Sequence, residues 1–336
     1  MAIRAAKSLK TRAGVAVTLE PMSQSDTPEH PEIGAASPDH YGAALWMATG
    51  GRSRHAHRGR VTALLAAEKQ GKVSFDGLLT ATRGNRVVSS IWCLSQPGKI
   101  GTVWGPGILS EESDSTADLL VQQAIQFAKQ RDCHLLQSLV GQENPTAGNL
   151  LGASGFRSIT LLSHLEALSE DIQAEPPHGD LTFRRCDDFR SEGFRSLVAQ
   201  TYENSLDCPE LDGMRDVDDV LEGYHATSHG STYNWYTLES GSEAIGVIIT
   251  AHHAEPQQLE LIYFGLTPRF RQLGLGSEMI RFVLQLAQFL GCRSTITGVD
   301  QRNTPAMALY RRFGFQQNDV KQLFLLPLRM TSVAVA

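Results

Sequence analysis

The sequence lacks the features that mark most membrane, secreted and metal-binding proteins. It has no run of about 18 apolar residues, so it predicts no membrane-spanning helix. Its N-terminal 17 residues are basic but lack the apolar core of a secretory signal. The cysteines are widely spaced and form no CxxC pair, which argues against a disulfide framework or a zinc cluster. We therefore expect a cytoplasmic protein with reduced thiols, without a metal or a membrane partner; these thiols belong to Cys93, Cys133, Cys186, Cys208 and Cys292.

Positive charge is also scarce. The 336 residues include 36 acidic and 30 basic side chains, giving a formal net charge of −6, which argues against a nucleic-acid partner. One segment, residues 203–222, holds eight acids and a single base, Arg215. The hydrophobic fraction of 41% and the charged fraction of 20% are ordinary for a soluble globular protein. The length predicts two domains, and the sequence leaves both monomer and homodimer open.

The chain divides into two halves with a similar order of predicted elements. A polar, acidic stretch with two consecutive prolines, residues 169–180, indicates a linker. We predict a first domain at residues 1–170, a linker at 171–180 and a second domain at 181–336. Strands are predicted at 77–82, 86–93, 101–104, 135–140, 181–185, 232–238, 244–251, 259–266, 294–299 and 322–328. Helices are predicted at 41–48, 60–69, 116–130, within 146–153, and at 189–202, 216–226, 276–290 and 304–312.

A short repeat supports this division. Residues 144–156 read NPTAGNLLGASGF and residues 303–315 read NTPAMALYRRFGF. At a constant offset they share Asn, Ala, Leu, Gly and Phe, and each follows a predicted helix and strand. The matching context indicates a duplicated domain.

The segment most informative about chemistry is residues 259–277, LELIYFGLTPRFRQLGLGS. A strand ends at Leu266, a turn follows, and a helix opens after Gly274 and Gly276. Glycines let backbone N–H groups approach a ligand, and a helix N-terminus offers unpaired donors and a positive dipole end. This combination suits a pyrophosphate. The glycine spacing alone is weak, since it matches neither the Rossmann nor the Walker pattern.

Two motifs together resemble the GNAT superfamily of acyl-CoA-dependent N-acyltransferases. The first is (Q/R)xxGx(G/A) at residues 271–276, and the second is NxxAxxLYxxxGF at residues 303–315. The resemblance spans residues 181–328 and implies an α/β (α+β) fold with two tandem GNAT-like domains. Each domain would be a mixed, mostly antiparallel, splayed sheet flanked by helices. Acetyl-CoA, the acyl-donor co-substrate, would lie between the fourth and fifth strands. The implied cofactor-binding residues are Phe264, Gly265, Leu266, Arg271, Gln272, Leu273, Gly274, Leu275, Gly276, Ser277 and Asn303.

The resemblance also implies an acid and a base. Tyr310 stands where GNAT enzymes commonly carry a general acid for the departing thiolate, although its helical spacing also suits a packed aromatic. Glu260 stands where several of them carry a catalytic glutamate, acting directly or through water. Strand alternation would place it on one face with Ile262 and Phe264. A solvated strand-end carboxylate is the alternative for Glu260, and His252 and His253 are alternative bases.

The first half departs from the family at these positions. Leu151 occupies the place of Tyr310, and the segment before the third helix contains Glu111, Glu112 and Asp114 instead of the loop motif. Negative charge there opposes a pyrophosphate. We expect a degenerate, non-catalytic domain that buttresses the second half or closes over its substrate.

The acidic segment suggests an acceptor site. In the GNAT pattern, residues 205–214 form one lip of the acceptor cleft, and carboxylates there would attract a cationic amine. Alternatively, these acids only favour a helix N-terminus. We expect acetyl transfer to a primary amine of a small cationic molecule, with a peptide or protein amine, or a non-catalytic acyl-CoA sensor, as alternatives. The candidate acceptor residues are Cys208, Glu210, Asp212 and Tyr224.

Overall fold

The computed structural model describes residues 30–50, 54–171 and 181–329. In the first half, strands and helices follow one another as β1 Glu32–Ala35, α1 Tyr41–Thr49, α2 Arg54–Lys69, β2 Leu78–Arg83, β3 Arg86–Gln96, β4 Ile100–Ile108, α3 Asp114–Gln130, β5 Leu135–Gly141, α4 Pro145–Ala153 and β6 Arg157–Leu168. In the second half they are β7 Leu181–Arg185, α5 Glu192–Tyr202, α6 Val217–Thr227, β8 Trp235–Ser240, β9 Glu243–His253, β10 Gln258–Leu266, α7 Leu275–Phe289, β11 Ser294–Asp300, α8 Thr304–Arg312 and β12 Gln316–Pro327.

The two halves have the same order of elements: one strand, two helices, three strands, and then helix, strand, helix, strand. Every predicted element is present within a few residues of its predicted bounds. The exceptions are α2 and β12, which each begin six residues earlier than predicted. Two strands, β1 and β6, have no counterpart in the prediction. The basic N-terminal segment and residues 172–180 of the predicted linker lie outside the described residues.

The repeated segment has the same local structure in both halves. Asn144 and Asn303 are the N-caps of α4 and α8, and each side chain accepts the N–H of the alanine three residues later at 3.2 Å. Gly155 and Gly314 follow the two helices with φ of 96° and 80°. Three of the shared residues, Asn, Ala and Gly, therefore take part in starting or stopping the same helix.

All twelve strands form one sheet in which the two halves exchange their last strands. The order is β1-β2-β3-β4-β5-β12-β6-β11-β10-β9-β8-β7. Strand β12 pairs antiparallel with β5, β6 pairs antiparallel with β11, and β12 and β6 pair with each other at the centre. Consequently Phe324 of β12 packs in the core of the first half, and Leu165 of β6 packs in the core of the second.

A cleft opens in the second half where two strands part. The parallel pairing of β10 with β11 covers four residue pairs, from Gln258↔Ser294 to Leu261↔Thr297. An irregularity between Leu261 and Tyr263 follows at once, inserting one extra residue into β10 relative to β9. Such a bulge bends the strand and increases its twist. We call the gap between the diverging ends of β10 and β11 the opening.

Candidate active site

The loop before α7 has the backbone form expected of a pyrophosphate site. Gln272 and Gly274 take left-handed conformations, with φ of 63° and 83°. Gly274 is the N-cap of α7 and has no side chain to cap the first turn. Both residues are exposed. The helix therefore presents N–H donors and its positive dipole end to solvent, which fits the diphosphate of an acyl-CoA.

Two side-chain observations refine the role of this loop. The Arg271 guanidinium donates to three backbone carbonyls, those of Leu266 at 3.0 Å, Asn204 at 3.1 Å and Thr201 at 3.0 Å. It therefore ties the loop to β10 and to the end of α5. A Cβ at Gly276 would lie 3.2 Å from Leu309 Cδ2, so this glycine also serves the packing of α7 against α8.

The end of β10 leaves one edge for an extended ligand. Residues 264–266 pair with β9, whereas the pairing with β11 has ended at Leu261. The peptide groups of these residues on the β11 side therefore border the opening, where an amide-containing arm can bind as an added strand. Asn303 lies beyond the end of β11, where its side chain caps α8.

Tyr310 is buried at the second-half core, with 3% of its surface exposed. Its ring contacts Phe264 and Phe315 edge-on, with centroids 6.1 and 5.1 Å apart. Its hydroxyl shares a hydrogen bond with the Thr297 side chain, and burial raises the pKa of Tyr310 well above its usual value. Tyr310 is thus a packed aromatic that also keeps a neutral phenol at the last β10–β11 residue pair.

Glu260 does not share a face with Phe264, contrary to the alternation expected from the sequence. Glu260 pairs with Ala251, and Phe264 pairs with Ile248, three residues apart on β9. The bulge supplies the extra residue that reverses the alternation. Glu260 lies on the face that α5 and α6 cover, whereas Phe264 packs with Tyr310 on the face that α7 and α8 cover. The predicted base and acid therefore flank the parting strands from opposite faces.

Two histidines connect Glu260 to the surface. Oε2 of Glu260 lies 2.8 Å from Nε2 of His253, and Nδ1 of His253 lies 3.1 Å from Nε2 of His229. The Glu260 side chain is 33% exposed and that of His253 is 22% exposed. His164 on β6 lies near the same carboxylate, and burial lowers its pKa. These contacts form a hydrogen-bonded chain from the predicted base to solvent, in which His253 is the direct partner of Glu260.

A cavity of 370 Å³ lies between α5, α6 and β10. It brings together three of the four predicted acceptor residues, Cys208, Asp212 and Tyr224. Three residues that the sequence analysis did not select also line it, namely Tyr202, Arg215 and Tyr263. Their aromatic spacing and single positive charge were visible in the sequence, but their convergence depends on how α5 and α6 pack.

Glu210, the fourth predicted acceptor residue, does not line this cavity. Its carboxylate forms two hydrogen bonds with Arg302, at 2.6 and 2.7 Å. These bonds hold the pKa of Glu210 below its usual value. Arg302 also binds the fully buried Asp300 at 2.7 Å. Glu210 thus anchors the segment after α5 to the end of β11.

Most other acids of residues 203–222 also have partners. The three ion pairs among these contacts offset part of the negative charge on which the expectation of a cationic acceptor was based. The contacts are Asp207 with the Asp300 N–H, Asp216 with the Asp218 N–H, Asp218 with Arg195, Asp219 with Lys99 at 3.2 Å, and Glu222 with Arg190 at 2.8 Å.

The tyrosines of the cavity are linked by hydrogen bonds. The hydroxyls of Tyr202 and Tyr224 lie 2.8 Å apart, and Tyr263 donates to Thr201 at 3.0–3.1 Å. Burial raises the pKa of Tyr224 to about 12 and that of Tyr202 well above its usual value. All three rings therefore stay neutral near pH 7 and form a polar but uncharged wall.

The described part of the first half lacks this constellation. In the segment before α3, Glu112 binds Arg83 at 2.7 Å and Glu111 binds Arg86 at 2.7 Å. These ion pairs stand where the second half has its glycine loop. Leu151, at the position of Tyr310, is fully buried and cannot donate a proton.

Part of the second half matches a known protein family. Residues 197–315 match the Acetyltransferase (GNAT) family. The chain is 30% identical over 106 residues to N-acetyltransferase family 8 member 3 of Mus musculus, covering 30% of this chain and 46% of that protein. It is 31% identical over 97 residues to mycothiol acetyltransferase of Corynebacterium glutamicum (strain R), covering 27% of this chain and 33% of that protein. The chain thus spans less than half the length of these relatives.

The whole fold also resembles a solved structure. The GCN5-related N-acetyltransferase from Sphaerobacter thermophilus superposes with a TM-score of 0.64 at 14% identity, covering 90% of this chain and 98% of that one. The fold is therefore a tandem pair of GNAT-like domains. The second of them contains residues 197–315, the stretch that matches the acetyltransferase family. The tandem arrangement and residues 260–276 resemble those of mycothiol synthase.

Among the described residues, no group of three or more His, Cys, Asp or Glu side chains is arranged to hold a metal ion. None of the helices in this part of the chain is long and apolar enough to cross a membrane.

Proposed function

We propose that this protein is an acetyl-CoA-dependent N-acetyltransferase that acts through a direct ternary complex. One observation carries the proposal: the predicted base and the predicted acid flank the point where β10 and β11 part, downstream of which the glycine loop begins α7. Residues 181–329 would be catalytic, and the first half would support them.

In the proposed reaction, the amine nitrogen attacks the thioester carbonyl carbon, the new C–N bond forms and the C–S bond breaks. Glu260 accepts the proton that the amine loses, and His253 orients its carboxylate. Tyr310 donates to the sulfur as negative charge develops there. Its raised pKa keeps the phenol protonated near pH 7, so that a proton is available to the departing thiolate.

The acceptor in this proposal is a small molecule with a primary amine. A cavity of 370 Å³ falls within the range of small-ligand pockets, which favours this class over a peptide or protein amine. A positive charge on the acceptor stays part of the proposal, although most acids of the segment have other partners. The five cysteines are buried free thiols, which agrees with the cytoplasmic location proposed from their spacing.

Thiol release from acetyl-CoA across a panel of primary amines tests the proposal. We expect turnover with at least one small amine, and a fall in kcat of about 10²–10⁴ in Glu260→Gln and Tyr310→Phe. Glu243→Gln, a change on the neighbouring strand β9, is the control. Tight acetyl-CoA binding without turnover would instead indicate a sensor, and full turnover by Tyr310→Phe would remove Tyr310 as the acid.

A further inference from the structure

We infer that the acceptor bears a carboxylate as well as its amine, so that it is amino-acid-like. This inference rests on the proposed function. The cavity between α5, α6 and β10 carries opposite charges, with the guanidinium of Arg215 in its wall and the carboxylates of Asp207 and Asp212 elsewhere along it. A small zwitterion matches both signs.

Arg215 forms its hydrogen bonds with backbone carbonyls. Its Nη2 donates to the backbone carbonyls of Gly98 and Asp219, each at 3.1 Å. Among the described residues, no carboxylate lies within ion-pair distance of its guanidinium. Burial lowers the pKa of Arg215, while the charge of the nearby Asp219 raises it, and the residue lines the cavity. A guanidinium fork held in this way suits a bidentate carboxylate.

Asp207 also lines the cavity, and its carboxylate lies at the end of β11, beside the opening. Its Oδ1 accepts the N–H of Asp300 at 2.9 Å, and its side chain also bonds that of Asn303. The carboxylate is near enough to Tyr310 to raise the pKa of that phenol. Although Asp207 is exposed as a residue, loss of water around its carboxyl group raises its own pKa. A ligand ammonium group beside Asp207 would neutralise its carboxylate next to Tyr310, the proposed acid.

The space between the two charges suits a compact side chain. Apart from the tyrosines, the wall there consists mainly of small or apolar side chains, including Ala199, Leu211, Val217 and Val220. The geometry orients the ligand with its amine toward the opening and its carboxylate toward Arg215. The competing interpretation is that Arg215 only links α6 to the first half through Gly98.

Matched ligands separate these interpretations. We compare alanine and phenylalanine with their carboxamides and their decarboxylated amines, using calorimetric binding in the presence of CoA and acetyl transfer from acetyl-CoA. We expect at least one free acid to bind and react roughly tenfold to a hundredfold better than its two analogues, as loss of a hydrogen bond to a charged group predicts. In Arg215→Met that preference should disappear, while the weaker reaction of the carboxamide persists.

Two controls keep the test independent of folding and of turnover. Arg215→Lys retains the charge but loses the fork, and should show an intermediate preference; Arg190→Met, on the exposed pair with Glu222, should match the wild type. Acid-selective binding without turnover would support the inference and overturn the proposed activity. Equal binding of acids, carboxamides and amines, or a preference unchanged in Arg215→Met, would overturn the inference.

Discussion

The hydrogen-bonded contacts that run from Glu260 through His253 to His229 bear on how one proton leaves the proposed base. A carboxylate that accepts a proton from an amine must pass it on before the next turnover. His253 lies within hydrogen-bond distance of both neighbours, at 2.8 and 3.1 Å, and can carry that proton outward. A merely orienting role requires the first of these contacts only.

We predict that His253→Gln lowers kcat by about tenfold, because glutamine keeps a donor toward Glu260 but cannot relay a proton. Added imidazole should restore part of the lost rate, which a purely structural defect would not allow. His252→Gln is the matched control, since His252 pairs with Leu259 and points to the opposite face. An unchanged kcat in His253→Gln would exclude the relay.

The residues that could be predicted from sequence are those fixed by local spacing. Tyr310 and Gly274 occur within short motifs whose helical context was readable. The prediction that Glu260 and Phe264 share a face was wrong, because the bulge depends on how β10 pairs with two different neighbours. Arg215 was visible only as the single base in an acidic segment, since its role depends on contacts with the first half.

At the scale of elements, the segment between α5 and α6 is fastened to the end of β11. The Glu210–Arg302 pair joins the two, and Asp300 binds both Arg302 and the N–H of Cys208. This fastening closes one side of the opening. It also explains why the acidic residues of this segment need not form an exposed, cation-binding edge of the cleft.

We predict that Glu210→Gln destabilises the protein at pH 7 by less than about 1 kcal/mol, since the pair is partly exposed. The pKa of Glu210 is lowered on folding, so its contribution is present above the unfolded value of about 4.3 and is lost as pH falls through the folded value. Thermal unfolding of wild type and variant should therefore differ at pH 7 and converge as the pH falls below the unfolded value and through the folded one. Glu203→Gln, an exposed change in the same segment, is the control, and a difference independent of pH would contradict the assignment.

The sequence analysis did not predict strand β6, and this omission has a physical cause. Its sequence, RSITLLSHLEAL, alternates buried and less buried residues only toward its end. The strand is covered differently along its length, because it crosses from the first half into the sheet of the second. Periodicity reports a uniform environment, and β6 does not have one.

At the scale of the whole molecule, the first half reaches the proposed acceptor cavity. The turn between β3 and β4 rests on α6, with Lys99 bound to Asp219 at 3.2 Å and the Gly98 carbonyl bound to Arg215. Gly98 has a φ of 80°, and a Cβ there would fall against the Asp219 carbonyl oxygen and 2.9 Å from Arg215 Nη2.

We predict that Gly98→Ala raises KM for the acceptor several-fold and leaves KM for acetyl-CoA unchanged, because the clash displaces Arg215 and not the glycine loop. Steady-state kinetics with each substrate varied in turn provides the measurement. Gly84→Ala, at another left-handed turn of the first half with open space around it, controls for backbone strain. An equal rise in both KM values would indicate general unfolding instead.

The exchanged strands make the two cores interdependent. Phe324 belongs to the second half of the sequence but lies in the core of the first half, with 8% of its surface exposed. Replacing it with alanine should destabilise the protein by about 3–5 kcal/mol.

Because β12 also pairs with β6 at the centre of one sheet, we expect the Phe324→Ala variant to show a single unfolding transition in which α3 and α7 lose hydrogen-exchange protection together. Leu168→Ala, at an exposed position of β6, should have little effect. Loss of protection in α3 alone would show that the halves unfold independently despite sharing strands.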